Sequence, residues 1–433
     1  MEPALVLYMF SSNLQMPVFQ NLLFEKSCWA FYQDDVLCRN VSAYYEDDAI
    51  QADANRLFFI SSIIQILPSI PSSLLLGALV DKSRLRLSLM IPFGSLLLAT
   101  SVYIILSIIE HSSPYYLFIA DIIFGVCGGY SSIIGVSVAY SVRDTSGSLR
   151  SSRMARLEGC IGLGGTIGYA LSGTIRKAFG YTAVFCTVLG LQIASFIYIL
   201  IFVRDDDLVC RVTDEEAKET YEEPSLMRRW IVDPVLTLVR VRPLRLVLIA
   251  LFIAFGLDLY AVSGLSDIQY SLMRYRLSWD DSGYGPFSAL TSLFGTIGAL
   301  FLYPLLRMAF ADVLLGSVGL VFKMTFLIVL TITRSRTLIY ILTVLYIGNR
   351  FVSTAFRTQI ANLVEEDEQG KISSLVSILE GVAGVLATAS LNNLYPLTLK
   401  VWDGICPIVI VCLLFIALLV LISHTKWNEC NNH

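Results

Sequence analysis

Charge and histidine are what this chain has least of, and both shortages narrow its chemistry. Only 15% of its 433 residues are charged, where a soluble chain would carry about 25%. The deficit is not confined to one stretch. It recurs as apolar runs of roughly 20 residues separated by short charged segments, the pattern of repeated bilayer crossing. The three histidines, His111, His424 and His433, all fall outside those runs. A basic stripe of the kind nucleic-acid binding needs is missing, and a net charge of −4 dictates no partner. There is no metal-ligand cluster and no nucleophile–base pairing, so neither metal, cofactor nor enzymatic activity is expected. The start also lacks the basic region of a signal peptide, so Met1 to Phe24 reads as a first span rather than a removed segment.

What is present is a set of long apolar runs. With no water in the hydrocarbon, backbone groups must be satisfied internally, and runs of this length predict helices. Barrel strands of about 10 residues with alternating polarity are not seen. The expected fold is therefore an all-α polytopic membrane protein of twelve transmembrane helices. Spans are predicted near 3–24, 57–79, 87–109, 115–141, 156–175, 181–203, 244–266, 284–306, 312–333, 337–359, 372–395 and 402–423. The hydrophilic stretch 204–243 divides them into two six-helix halves, 1–203 and 244–423, with a tail at 424–433.

Orientation follows from the loops. With both termini cytoplasmic, 18 of the 31 basic residues lie on the inner side and 10 outside, while Lys323, Arg350 and Arg357 lie within spans. That excess satisfies the positive-inside rule. The same topology places loop 25–56 outside, where Asn40-Val41-Ser42 is a glycosylation acceptor. Cys28 and Cys38 share that loop and would pair if it faces an oxidising side. Of the nine cysteines, Cys127, Cys160, Cys186, Cys406 and Cys412 sit in apolar runs as small hydrophobes.

The loop between the second and third spans reads Gly77-Ala78-Leu79-Val80-Asp81-Lys82-Ser83-Arg84-Leu85-Arg86. It resembles the G-x-L-x-D-(R/K)-x-G-R-(R/K) signature of the major facilitator superfamily, at the same place in the topology. Arg84 stands where glycine is usual and Leu85 where arginine is usual. The resemblance implies a conformational latch made by Gly77, Asp81, Lys82, Arg84 and Arg86.

Further segments resemble solute carrier family 46, the proton-coupled folate transporter family. They are Arg153-Met154-Ala155-Arg156-Leu157-Glu158 with Ile161-Gly162, Ser266-Asp267-Ile268 before Gly283-Tyr284-Gly285, and Phe356-Arg357 leading to Asn362-Leu363-Val364. Glu368-Gln369-Gly370 and Asn393-Leu394-Tyr395-Pro396 complete the set. This resemblance implies a coupling role for Glu158 and a substrate or gating role for Arg357. The family's seventh-span histidine position is occupied by Val262 here, so carboxylates rather than imidazole would carry a proton.

Charges inside spans cost at least ~2.5–3.5 kcal/mol and are functional candidates by default. Tyr346, Arg350, Ser353 and Arg357 recur at i, i+4, i+7 and i+11, one face of a helix, with Asn349 beside them. Two guanidiniums on that face suit an anionic substrate. The eleventh span repeats the spacing in Ser373, Ser377, Glu380, Gly384 and Thr388. Glu380 could titrate there, or neutralise an arginine of the tenth span. Asp121, Asp258, Glu158 and Glu380 are the candidate proton carriers, since burial favours the neutral acid. Each has a bland alternative: Glu158 could bridge to Arg153 or Arg156 at the boundary, and Asp258 could face a loop. The glycines at 125, 129, 162, 164, 165 and 168 read as close helix packing.

The expected function is alternating-access symport of protons with a small organic anion, folate-like in charge. Alternatives are a peptidoglycan fragment, a sulfated steroid or a lysosomal catabolite as solute, and a non-transporting receptor on the same fold. The expected partners are the anion, protons and the lipid bilayer of the plasma membrane or lysosome, without nucleic acid. The chain is expected to be monomeric.

Overall fold

The structure, a computed structural model, describes residues 1–34, 37–38, 47–81, 85–109, 111–143, 150–203, 245–364, 369–399 and 401–431. The described residues are helical with no strand. The chain begins with α1 (Glu2–Tyr32), α2 (Asp48–Asp81), α3 (Leu85–Ile108), α4 (Phe118–Val126), α5 (Gly129–Arg143) and the long α6 (Arg150–Phe202). It continues with α7 (Arg245–Leu277), α8 (Asp281–Ile297), α9 (Tyr303–Arg307), α10 (Asp312–Ile332), α11 (Arg336–Leu342), α12 (Asn349–Asn362), α13 (Gln369–Leu399) and α14 (Ile405–Asn431).

Every predicted span falls on helical structure. Eight helical segments among the described residues are long and apolar enough to cross a membrane. One of them, Arg156–Phe202, contains two of the predicted spans, which Gly180 separates with a φ of 82°. Other boundaries differ from the sequence reading for local reasons. The expected fourth span breaks at Gly128 and Gly129, whose φ values of 106° and 58° favour glycine. The seventh span was expected to end at 266, yet α7 runs to Leu277. The linker 204–243, the acceptor Asn40, and Lys82 and Arg84 lie outside the described residues.

The chain divides into two compact units, described separately. One takes residues 1–203 together with Tyr270–Thr296; the other takes 245–269 and 297–431. In the first, α1 lies along α6, and Tyr8, Phe19, Phe93, Tyr103 and Phe185 share one buried core. Packing in a bilayer relies on close van der Waals contact, so small residues decide how near two helices come. A Cβ at Gly164 would stand 2.6 Å from the Val6 carbonyl oxygen, and one at Gly168 would stand 2.6 Å from that of Phe10. The opposite side of α6 meets α8 in the same way. There a Cβ at Gly162 would stand 1.8 Å from Thr296 Oγ1, and one at Gly173 would stand 2.2 Å from the Ser282 Cα. Gly164 with Gly168, and Gly162 with Gly173, thus form two seams, one per neighbour.

In the second unit, α10 packs on α12 and α14. Tyr303, Leu315 and Phe351 form a small buried cluster. A 3-10 turn over Thr343–Gly348 leads into α12. Each residue there advances by about 120° rather than 100°, so Tyr346 is not on a continuous α-helical stripe with Arg350 and Arg357.

Candidate functional site

The intramembrane acids differ in what holds them. Asp121, on α4, is 1% exposed. It accepts from Ser61 Oγ of α2 at 2.6 Å and from Tyr103 Oη of α3 at 2.7 Å. Three helices of the first unit therefore converge on one carboxylate through neutral hydroxyls. Asp258, on α7, instead accepts from Lys323 Nζ of α10 at 2.6 Å, with both side chains largely buried. A buried ion pair of this kind is neutral as a unit, and its desolvation cost is offset only while both partners remain.

The tenth-span arginine lies in a more open setting. Arg357 Nη2 donates to Glu380 Oε2 of α13 at 3.2 Å, with side-chain exposures of 49% and 52%. Its guanidinium also stands 5.6 Å from the centre of the Phe255 ring, a cation–π contact that steadies the head group. Phe255 is itself stacked on Phe356 at 5.5 Å. Arg350 sits two turns earlier on α12 and is exposed. Ser353 and Thr354 both donate to the Arg350 carbonyl, at 3.3 and 2.9 Å. Their hydroxyls are therefore turned back onto the helix, as is usual within helix interiors. Asn349 is half-buried at the first turn of α12. Tyr346 accepts from Gln269 Nε2 at 3.0 Å.

Glu158 is exposed on α6, one turn before Gly162. Gly77 and Asp81 fall in the last turns of α2. Arg86, at the start of α3, donates through Nη2 to the Leu200 carbonyl at 2.7 Å. That carbonyl belongs to the last turn of α6, where unpaired oxygens and the helix dipole attract a cation. Cys28 and Cys38 are joined by a disulfide.

Two groups of residues escaped the sequence reading. One is an ionic cluster within the first unit. Arg176 of α6 donates to Asp281 and, at 3.2 Å, to Asp280, while Lys177 Nζ lies 3.6 Å from Asp280. Asp280 also caps α8 by accepting from the backbone N–H groups of Ser282 and Gly283 at 3.1 and 3.2 Å. Burial alone would push the Asp280 carboxyl up. The Ser282 hydroxyl, the Lys177 and Arg176 charges and the Gly283 N–H outweigh that, and hold its pKa below the ordinary carboxylate range. Both the Arg176-Lys177 and the Asp280-Asp281 doublets fall outside the predicted spans, where the span pattern carries no signal for pairing.

The other is Asp267, on the part of α7 that extends past the predicted span. It accepts from Thr388 Oγ1 at 2.5 Å and Asn392 Nδ2 at 3.2 Å, both on α13. It falls within the Ser266-Asp267-Ile268 segment, whose family resemblance implies no role for it.

Three comparisons bear on the arrangement. A sequence profile of the Major Facilitator Superfamily matches residues 3–388. The proton-coupled folate transporter of Bos taurus is 26% identical over 99% of this chain and 92% of its own length. The lysosomal proton-coupled steroid conjugate and bile acid symporter SLC46A3 of Gallus gallus is 22% identical, over 99% of this chain and 94% of its own. Among solved structures, the human organic anion transporter MFSD10 (TETRAN) superposes with a TM-score of 0.66 at 16% identity, covering 97% of each chain. At that identity the likeness shows the fold.

Proposed function

The chain belongs to the Major Facilitator Superfamily, and on that footing we propose that it is a proton-coupled symporter of a folate-like organic anion, working by alternating access. The observation that carries this reading is the half-exposed Arg357–Glu380 pair on α12 and α13. An ion pair this exposed is worth only about 0–1 kcal/mol. An incoming carboxylate offering a bidentate fork can therefore displace Glu380 from Arg357. Displacement leaves two carboxylates close together, and a proton on Glu380 removes their repulsion. Anion and proton then favour each other's binding, which is the thermodynamic content of symport.

Arg350, two turns along the same helix, supplies a second cation for a dianion. Asn349, beside it at the first turn of α12, completes the anion site, while Tyr346 and Ser353 join it only by giving up their bonds to Gln269 and to the Arg350 carbonyl. Asp121 is the proton carrier of the first half, with Glu158 as a second acid. Gly77, Asp81, Lys82, Arg84 and Arg86 form the latch that the halves make and break in rocking around a midplane site. Both termini face the cytoplasm, Asn40 is glycosylated outside, and the monomer works in the plasma or lysosomal membrane. Both curated relatives are proton-coupled by name, one for folate and one for steroid conjugates, so a sulfated steroid is the second solute class.

Uptake of labelled folate and a sulfated steroid, compared at pH 5.5 and 7.4 in expressing cells, tests the proposal. Acid-stimulated uptake of either solute, abolished in Arg357→Ala and only partly kept in Arg357→Lys, is the expected outcome. Full uptake by surface-delivered Arg357→Ala would overturn the assignment of the anion site.

A further inference from the structure

Asp267 is half-buried within α7, and its hydrogen-bond partners among the described residues, Thr388 and Asn392, are both neutral. Several other polar and charged groups on these helices are engaged elsewhere. Nine residues before it on α7, Asp258 is bound to Lys323, and Tyr260 is bound to Ser390 of α13. Two residues after it, Gln269 donates to Tyr346. Seven residues on, the Arg274 guanidinium stands 3.6 Å from the centre of the Phe24 ring. On α13, Glu380 is bound to Arg357. No charged side chain among the described residues compensates the Asp267 carboxylate. The whole of α7, Arg245–Leu277, is long and apolar enough to cross a membrane, and an uncompensated charge there is costly.

A second observation concerns donors. The Asn392 amide nitrogen serves two acceptors, Asp267 Oδ2 at 3.2 Å and the Thr388 carbonyl at 3.1 Å. Its own amide oxygen is buried and has no donor among the described residues. The cluster of Asp267, Thr388 and Asn392 therefore holds more acceptors than donors. A buried acceptor without a partner costs about 1–3 kcal/mol. A proton on Asp267 removes the uncompensated charge and supplies a donor to a cluster that is short of one.

We propose that Asp267, held by Thr388 and Asn392, is a proton-binding site of this protein. Proton binding stands by itself, while its consequence for flux rests on the symport reading above.

The test uses the full-length protein in lipid nanodiscs, without any solute. Infrared difference spectra between pH 7.4 and 5.5 report carboxylate carbonyls that become carboxylic acids. The wild type should gain an acid carbonyl band of which one carboxyl's share is missing in Asp267→Asn. Thr388→Val keeps the acid but removes a donor to its charged form, so its band should appear already at higher pH. If Asp267→Asn does not reconstitute, that shift decides alone. A band unchanged in Asp267→Asn, or an unmoved transition in Thr388→Val, overturns the proposal. Wild-type protein that shows the Asp267 band but no acid-stimulated uptake would contradict the symport reading and leave this site standing.

Discussion

Asp121 in the first unit and Asp258 in the second are both buried acids inside predicted spans, yet their surroundings are opposite. Two hydroxyls hold Asp121, whereas an ammonium holds Asp258. A hydroxyl can donate to the carboxylate or accept from the acid, so the Asp121 cluster accommodates both protonation states. An ammonium only donates, and the Lys323–Asp258 pair is complete only with the carboxylate ionised. The lesson is that a charge within a span is not by itself a proton site; the counter-charge decides. Asp121 therefore remains the carrier we propose, while Asp258 is better cast as half of a structural pair.

The sharpest way to break this contrast is to remove the ammonium. Lys323→Met leaves Asp258 buried without its partner, which should destabilise the fold by about 3–5 kcal/mol. Combining it with Asp258→Asn should restore most of that loss, as thermal unfolding in detergent would show. Next in size is Asp121→Asn, which keeps the hydrogen bonds to Ser61 and Tyr103 but cannot titrate. Folding should survive while the ratio of uptake at pH 5.5 to that at 7.4 collapses towards one. Glu380→Gln is expected to act in the other direction. It frees Arg357 without a proton, so uptake at pH 7.4 should rise several-fold towards the acid value.

The smallest effect is expected at Asp280, an acid with cations beside it. Because its pKa lies below the ordinary range, its contribution to stability is fully present above the unfolded value of about 3.9. That contribution is lost only as pH falls through the lower folded value. Asp280→Ala should therefore cost about 1 kcal/mol through the lost α8 cap, equally at pH 5.5 and 7.4. A pH-dependent cost would show that this cluster, rather than Asp121, senses acid.

Much of the fold was legible because bilayer crossing imposes length and apolarity on each helix separately. The neighbourhood of Arg357 and Glu380 was legible too, since both fall on polar stripes at helical spacing. Pairings between distant helices were not. Nothing local to Lys323 points to Asp258, 65 residues earlier in the chain. Asp267 was missed because the apolar signal fades near residue 266 while α7 continues to Leu277. Its side chain is satisfied by α13, which no periodicity within α7 reveals. The break at Gly128–Gly129 was hidden by the apolar run around it, and the 3-10 turn before α12 by a continuous hydrophobic pattern.

The most direct measurement of the central claim is proton movement itself. Purified protein in liposomes carrying an internal pH dye, with no imposed gradient, would be challenged with folate or a sulfated steroid outside. Under proton-coupled symport the solute drives acidification of the lumen, and Arg357→Ala abolishes it. Solute entry without any lumenal pH change would contradict proton coupling.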